Sequence, residues 1–143
     1  MQIKIHGSGQ EVGRSAIMLD DGKTKVMLDY GVKLQPEPPS YPAKPEKIDA
    51  VILSHAHLDH SGALPVFYRK GKIPAFMTDV TLDLSALLLK DSIKVAKKNG
   101  YSTPFEKNEL NKMIKNARLV RYNEKFRVNN FNCRLYDAGH IPG

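Results

Sequence analysis

His55-Ala56-His57-Leu58-Asp59-His60 follows directly on the apolar run Val51-Ile52-Leu53 and puts three histidines and an aspartate within six residues. Neutral imidazole and carboxylate are first-choice ligands for zinc and similar divalent ions. So short a stretch holds more ligands than one small ion needs. His55 and His57 are placed to face one ion while Asp59 and His60 face a second, the raw material of a two-metal hydrolytic site. Random placement of the chain's own five His and nine Asp would produce this pattern roughly once in a few thousand such chains.

The surroundings suit a site at a strand end. Lys47 to Ser54 is β-branched and apolar with polar bounds, which predicts a short buried strand. The ligands then fall on the loop leaving its carboxyl end, where a rigid strand holds them. Ser61 to Tyr68 resumes an apolar pattern and is read as a short helix closing that loop.

A chain of 143 residues is enough for one domain with a core, and 41% hydrophobic with 26% charged residues is a globular composition. No apolar run reaches transmembrane length, and the N-terminus lacks the regions of a signal peptide, so no membrane role and a cytoplasmic location are expected. Cys133 is the only cysteine, which rules out an internal disulfide, and its alternating surroundings make it a small buried hydrophobe. The balance of 22 Lys and Arg against 15 Asp and Glu, net +7, favours anionic partners such as RNA or DNA.

Gln2 to His6 alternates as an opening strand and runs into the glycine-rich turn Gly7 to Gly13. That turn has the spacing of neither a P-loop nor a dinucleotide fingerprint. It reads as a connection needing positive φ or close backbone approach. Ser15 to Leu19 and Lys25 to Leu28 form a hairpin across Asp20-Asp21-Gly22-Lys23. Pro36, Pro38, Pro39, Pro42 and Pro45 make the segment 32–45 an irregular surface loop. Ile73 to Met77 predicts a strand. Leu82, Ala86, Leu89, Ile93 and Ala96 lie on one face of a helix ended by Asn99-Gly100. Thr103-Pro104-Phe105-Glu106 reads as the capping box of a second helix, with Leu110, Met113, Ile114 and Ala117 as its apolar stripe. Leu119–Tyr122, Lys125–Val128 and Asn132–Tyr136 are expected strands, which gives α/β with mixed pairing.

Two further strand ends carry ligand chemistry. Asp137-Ala138-Gly139-His140 offers another imidazole behind a glycine, as a tetrahedral site requires from elsewhere in the chain. Asp29, after Val26-Met27-Leu28, is either a turn aspartate accepting local amides or an orienting group behind the histidine loop.

Taken together, Gly9-Gln10-Glu11-Val12-Gly13-Arg14-Ser15, Leu28-Asp29-Tyr30-Gly31, Ser54 to Pro65 and Asp137 to Gly143 resemble the metallo-β-lactamase superfamily. More narrowly they resemble its β-CASP nucleases, which include ribonuclease J and the cleavage-and-polyadenylation endonucleases with their archaeal relatives. The resemblance implies the first half of an αββα sandwich, with a mixed sheet and helices on one face. Residues 1–143 would be the N-terminal portion of that domain, without its second half or the β-CASP cap. It implies two zinc ions per complete site: His55, His57 and His140 on one, Asp59 and His60 on the other. Asp29, Asp59 and His60 are the catalytic group, Asp29 as support for the metal loop. The implied reaction is hydrolysis of RNA phosphodiester bonds. The implied partners are RNA and the remainder of the same protein, with room for a homodimer. An end at Gly143 inside a family motif reads as a fragment or as an interruption by an intein, and the piece alone is expected to be inactive. The alternatives are a glyoxalase-type thioesterase, disfavoured by the basic charge and the Ser61–Pro65 flank, and a noncatalytic RNA-binding paralog, disfavoured by the intact ligand set.

Overall fold

The computed structural model describes residues 1–44 and 47–143, so Pro45, the last of the expected loop prolines, lies outside the described residues. Eight strands are present among them. β1 (Gln2–Gly7), β2 (Ala16–Asp20), β3 (Lys25–Leu28), β4 (Ala50–Ile52), β5 (Ala75–Met77) and β6 (Ala117–Leu119) form one sheet in sequence order. The first three run antiparallel; β3 to β6 are parallel. β7 (Lys125–Val128) and β8 (Phe131–Arg134) form a separate antiparallel pair. The helices are α1 (Leu58–Ser61), α2 (Asp79–Lys98) and α3 (Lys107–Lys115), with a 3-10 turn over Leu64–Tyr68.

Strand periodicity sorts the sheet into two faces. Met18, Met27, Val51, Ala75 and Met77 point to the helical side, where they pack with Leu64, Tyr68, Leu89, Phe105, Leu110 and Met113. Val26, Ala50 and Ile52 point the other way and meet Val128, with Phe76, Phe126, Phe131, Cys133 and Leu135 around them. The hairpin β7–β8 therefore covers part of the second face, and the rings of Phe76 and Phe126 stack at 5.1 Å. It does not reach β1, where Ile3 and Ile5 remain 62% and 61% exposed. Cys133 lies half-buried in this layer, and burial raises its thiol pKa.

Several boundaries differ from the sequence expectation for identifiable reasons. The strand expected over Lys47–Ser54 narrows to Ala50–Ile52, and the two strands expected to end at Tyr122 and Tyr136 end at Leu119 and Arg134. The final strands pair with each other rather than extend the main sheet. The second capping box sits three residues later than expected. Phe105 is 2% exposed, and the Thr103 hydroxyl donates to its carbonyl, so residues 103–105 drive a ring into the core before any helix starts. Glu106 then caps α3, and the Glu109 carboxylate accepts from the Glu106 amide at 2.9 Å across the box. The cap of α2 is Thr78, whose hydroxyl accepts from the Thr81 amide at 3.1 Å. The glycine-rich turn behaves as read: Gly13 has φ of 100°, and a Cβ on Gly7 would lie 2.0 Å from the Arg14 carbonyl oxygen.

Candidate metal centre

β3 and β4 are parallel neighbours, so their carboxyl ends release Asp29 and the histidine segment side by side. The stretch does not stay a loop. His57 caps the single turn α1, which carries Asp59 and His60. Backbone bonds clamp this turn to the segment after β3: Tyr30 N–H to His60 O at 2.8 Å, Val32 N–H to Leu58 O at 2.9 Å and Ala63 N–H to Tyr30 O at 2.9 Å. Ser15 joins both, donating to Asp59 O at 2.7 Å and accepting from Gly31 N–H at 2.9 Å. The approach demands glycine at 31, because a Cβ there would stand 1.7 Å from the Asp59 carbonyl oxygen.

Asp29 is the hub beneath the histidines. It is 7% exposed and holds φ of 57°, a left-handed conformation that aspartate adopts more readily than most residues. Its Oδ1 accepts the Ser54 amide at 2.7 Å. Its Oδ2 accepts the Ser54 hydroxyl at 2.9 Å and faces His60 Nδ1 at 2.8 Å. Ser54 Oγ in turn lies 2.9 Å from His55 Nδ1. With the hydroxyl proton committed to Asp29, Oγ is left to accept from His55 Nδ1–H. His60 thus holds its Nδ1 proton toward the carboxylate and His55 its own toward the Ser54 oxygen, and both keep Nε2 lone pairs outward. The Asp29 hydrogen bond is the main cause that raises the His60 pKa; burial is the main cause that lowers that of His55.

The outward nitrogens converge. Ligand atoms of His55, His57 and His140 lie within 4.8 Å of one another, although His140 arrives from the far end of the chain. His55 Nε2 is buried and has no hydrogen-bond partner among the described residues. His57 Nδ1 and His140 Nε2 stand 3.2 Å apart. Two nitrogens on one tetrahedral zinc are about 3.3 Å apart when each bond is about 2.0–2.1 Å. An orphaned buried lone pair beside two closely spaced ones is a donor set that a divalent cation satisfies. His60 Nε2 and Asp59 Oδ2, 3.6 Å apart, form a second pair of donors beside it. Alongside His57 and Asp59 opens a hollow of about 490 Å³ walled by Val12, Val32, Leu34 and Leu88.

Of the residues singled out by sequence, His55, His57 and His140 meet in one cluster, Asp59 and His60 flank it, and Asp29 lies below. Ser54 carries a link that sequence reasoning assigned to no residue. The available signal was a hydroxyl closing an apolar strand one position before a candidate ligand. No helix among the described residues is long and apolar enough to cross a membrane.

Known proteins resemble this chain along its whole length. It is 42% identical over 147 residues to the Probable RNase MJ4 of Methanocaldococcus jannaschii, covering 100% of this chain and 34% of that protein. It is 38% identical to RNase aCSPSF2 of Saccharolobus solfataricus, covering 99% and 29%, and 32% identical to the transcription termination factor FttA of M. jannaschii, covering 100% and 24%. The chain thus spans about a third or less of the length of these relatives. Among solved structures, an archaeal metallo-beta-lactamase superfamily protein from Sulfolobus tokodaii shares the fold with a TM-score of 0.54 at 19% identity, over 94% of this chain and 54% of that one. The model of the metallo-beta-lactamase superfamily matches residues 9–127, most of the chain, and the chain belongs to that superfamily.

Proposed function

We propose that this chain carries the metal-binding portion of a zinc-dependent ribonuclease that hydrolyses RNA phosphodiester bonds in RNA processing or decay. The observation that carries the reading is the 42% identity, over the entire chain, to a protein called an RNase. The similarity to FttA favours a variant in which the RNA is a nascent transcript. Residues 1–143 form the N-terminal part of a longer protein, whose remainder completes the domain and adds a cap. The location is cytoplasmic.

His55, His57 and His140 hold one zinc; Asp59 and His60 contribute to a second. Bound zinc supplies Lewis acidity and lowers the pKa of the water it binds. The chain's own residues prepare that chemistry. Asp29 fixes the His60 ring directly and the His55 ring through Ser54, so both Nε2 atoms arrive with lone pairs free to bind a metal. The Asp59 side chain is 43% exposed and lies open to the approaching phosphodiester. Net charge of +7 draws the polyanion in, with affinity that falls as salt rises.

Metal analysis of purified variants tests the assignment. His55→Ala and His57→Ala are expected to lose zinc. His6→Ala, at the end of β1 and outside the cluster, should retain it. Equal loss for His6→Ala and His57→Ala contradicts the ligand set.

A further inference from the structure

The metal centre lies at the carboxyl ends of β3 and β4. At the amino ends of β5 and β6, which run parallel to them, the charge pattern is quite different. There the segment leading into β5 meets the last turn of α3 around a hollow of about 500 Å³. Its charged lining is Arg69, Lys70, Lys72, Lys112 and Lys115, with no carboxylate. Lys112 and Lys115 suit the negative end of α3, but that explains only two of the five. None of the five forms an ion pair among the described residues, unlike Lys33, which pairs with Glu11 at 2.6 Å. Arg69 is tethered by a bond from its guanidinium to the Pro104 carbonyl, leaving its other donors unused. Five cations around one concavity repel each other, and a bound polyanion relieves that repulsion.

We infer that this hollow is an RNA-backbone exosite, a second contact that holds the substrate strand at the end of the domain remote from the metal centre. The inference rests on the ribonuclease reading given above. The chemistry selects phosphate over base: the lining has no aromatic side chain on which a base could stack, so the contact is to backbone and independent of sequence. It also selects RNA over a membrane surface, because the lining offers no apolar side chain to insert among lipid chains. A strand long enough to run from one end of the sheet to the other engages both sites. A very short one engages the metal centre alone.

The experiment compares the full-length gene product with its Lys70→Gln, Lys72→Gln, Lys112→Gln, Lys115→Gln variant. The probes are a 30-nucleotide and a 5-nucleotide single-stranded RNA, with anionic phosphatidylserine vesicles as a third arm. Binding is followed by fluorescence anisotropy across a salt series, cleavage by initial rates. For the long RNA the variant is expected to show a salt slope shallower by about 3, at about 0.7 per lost phosphate contact. KM should rise at least tenfold with kcat unchanged. The short RNA should bind and be cleaved as before. Unchanged long-RNA binding overturns the exosite while leaving the ribonuclease reading intact. So does an equal loss for both lengths, or a loss seen only on anionic phosphatidylserine vesicles. No RNA binding by the unsubstituted protein overturns both.

Discussion

The Ser54 hydroxyl does two jobs with one oxygen: it donates to Asp29 and is positioned to accept from His55. Removing it leaves the His55 ring packed but free to change tautomer. Ser54→Ala is therefore expected to weaken zinc affinity by about 10- to 100-fold, the usual cost of losing a group behind a ligand. Competition against a chromophoric chelator measures this, with the far-UV circular dichroism spectrum unchanged. Wild-type affinity in the variant would remove Ser54 from the account. The candidate ligands were legible because the spacing of His55, His57, Asp59 and His60 is local. What the spacing does not disclose is that Ser54 and His60 meet Asp29 across 25 and 31 residues, or that His140 crosses 83 to reach His57. Such meetings depend on strand order, which no window of sequence contains.

At the scale of elements, the clamp between α1 and the segment after β3 depends on one missing side chain. Gly31→Ala forces a Cβ against the Asp59 carbonyl, where neither backbone has room to yield. The expected cost is about 3 kcal/mol of stability. Gly22→Ala is the informative contrast. With open space around it and φ of 89°, it should lose about 1–2 kcal/mol from backbone strain alone. Urea denaturation midpoints of the two variants check the ranking, and equal midpoints would argue against a steric role for Gly31. Helix positions followed from periodicity in both α2 and α3, whose apolar stripes recur at helical spacing. Their exact starts did not. Two overlapping capping signals stand at 103–106 and 106–109, and burial of Phe105 rather than local propensity chooses between them.

Across the whole molecule, the mixed sheet was legible in the order of elements, and the helices on one side followed from the family resemblance. The pairing of the last two strands was legible in neither. Lys125–Val128 and Phe131–Arg134 alternate like any half-buried strands, and alternation does not say which neighbour a strand will take. Here they take each other. The resulting hairpin touches the main sheet through side chains such as Phe76 and Phe126, and its tip is tied by Asn130 to Asp21 at 3.0 Å. β3 and β4, by contrast, carry ladder bonds on both flanks. The two layers therefore differ in how they come apart. Undocking the hairpin breaks apolar contacts on one side and the Asn130–Asp21 bond but disturbs no rung of the central ladder, so it is a partial opening separable from global unfolding. In native-state hydrogen exchange, the paired amides of β7 and β8 should lose protection at a lower free energy than those of β3 and β4, with a smaller dependence on denaturant. A single common opening energy for all four strands would mean that the layers part together. If they part separately, the second face of the sheet is transiently bared while the loops bearing the histidines stay folded. The chain is then sticky on one side at moments when its candidate metal ligands are still in order.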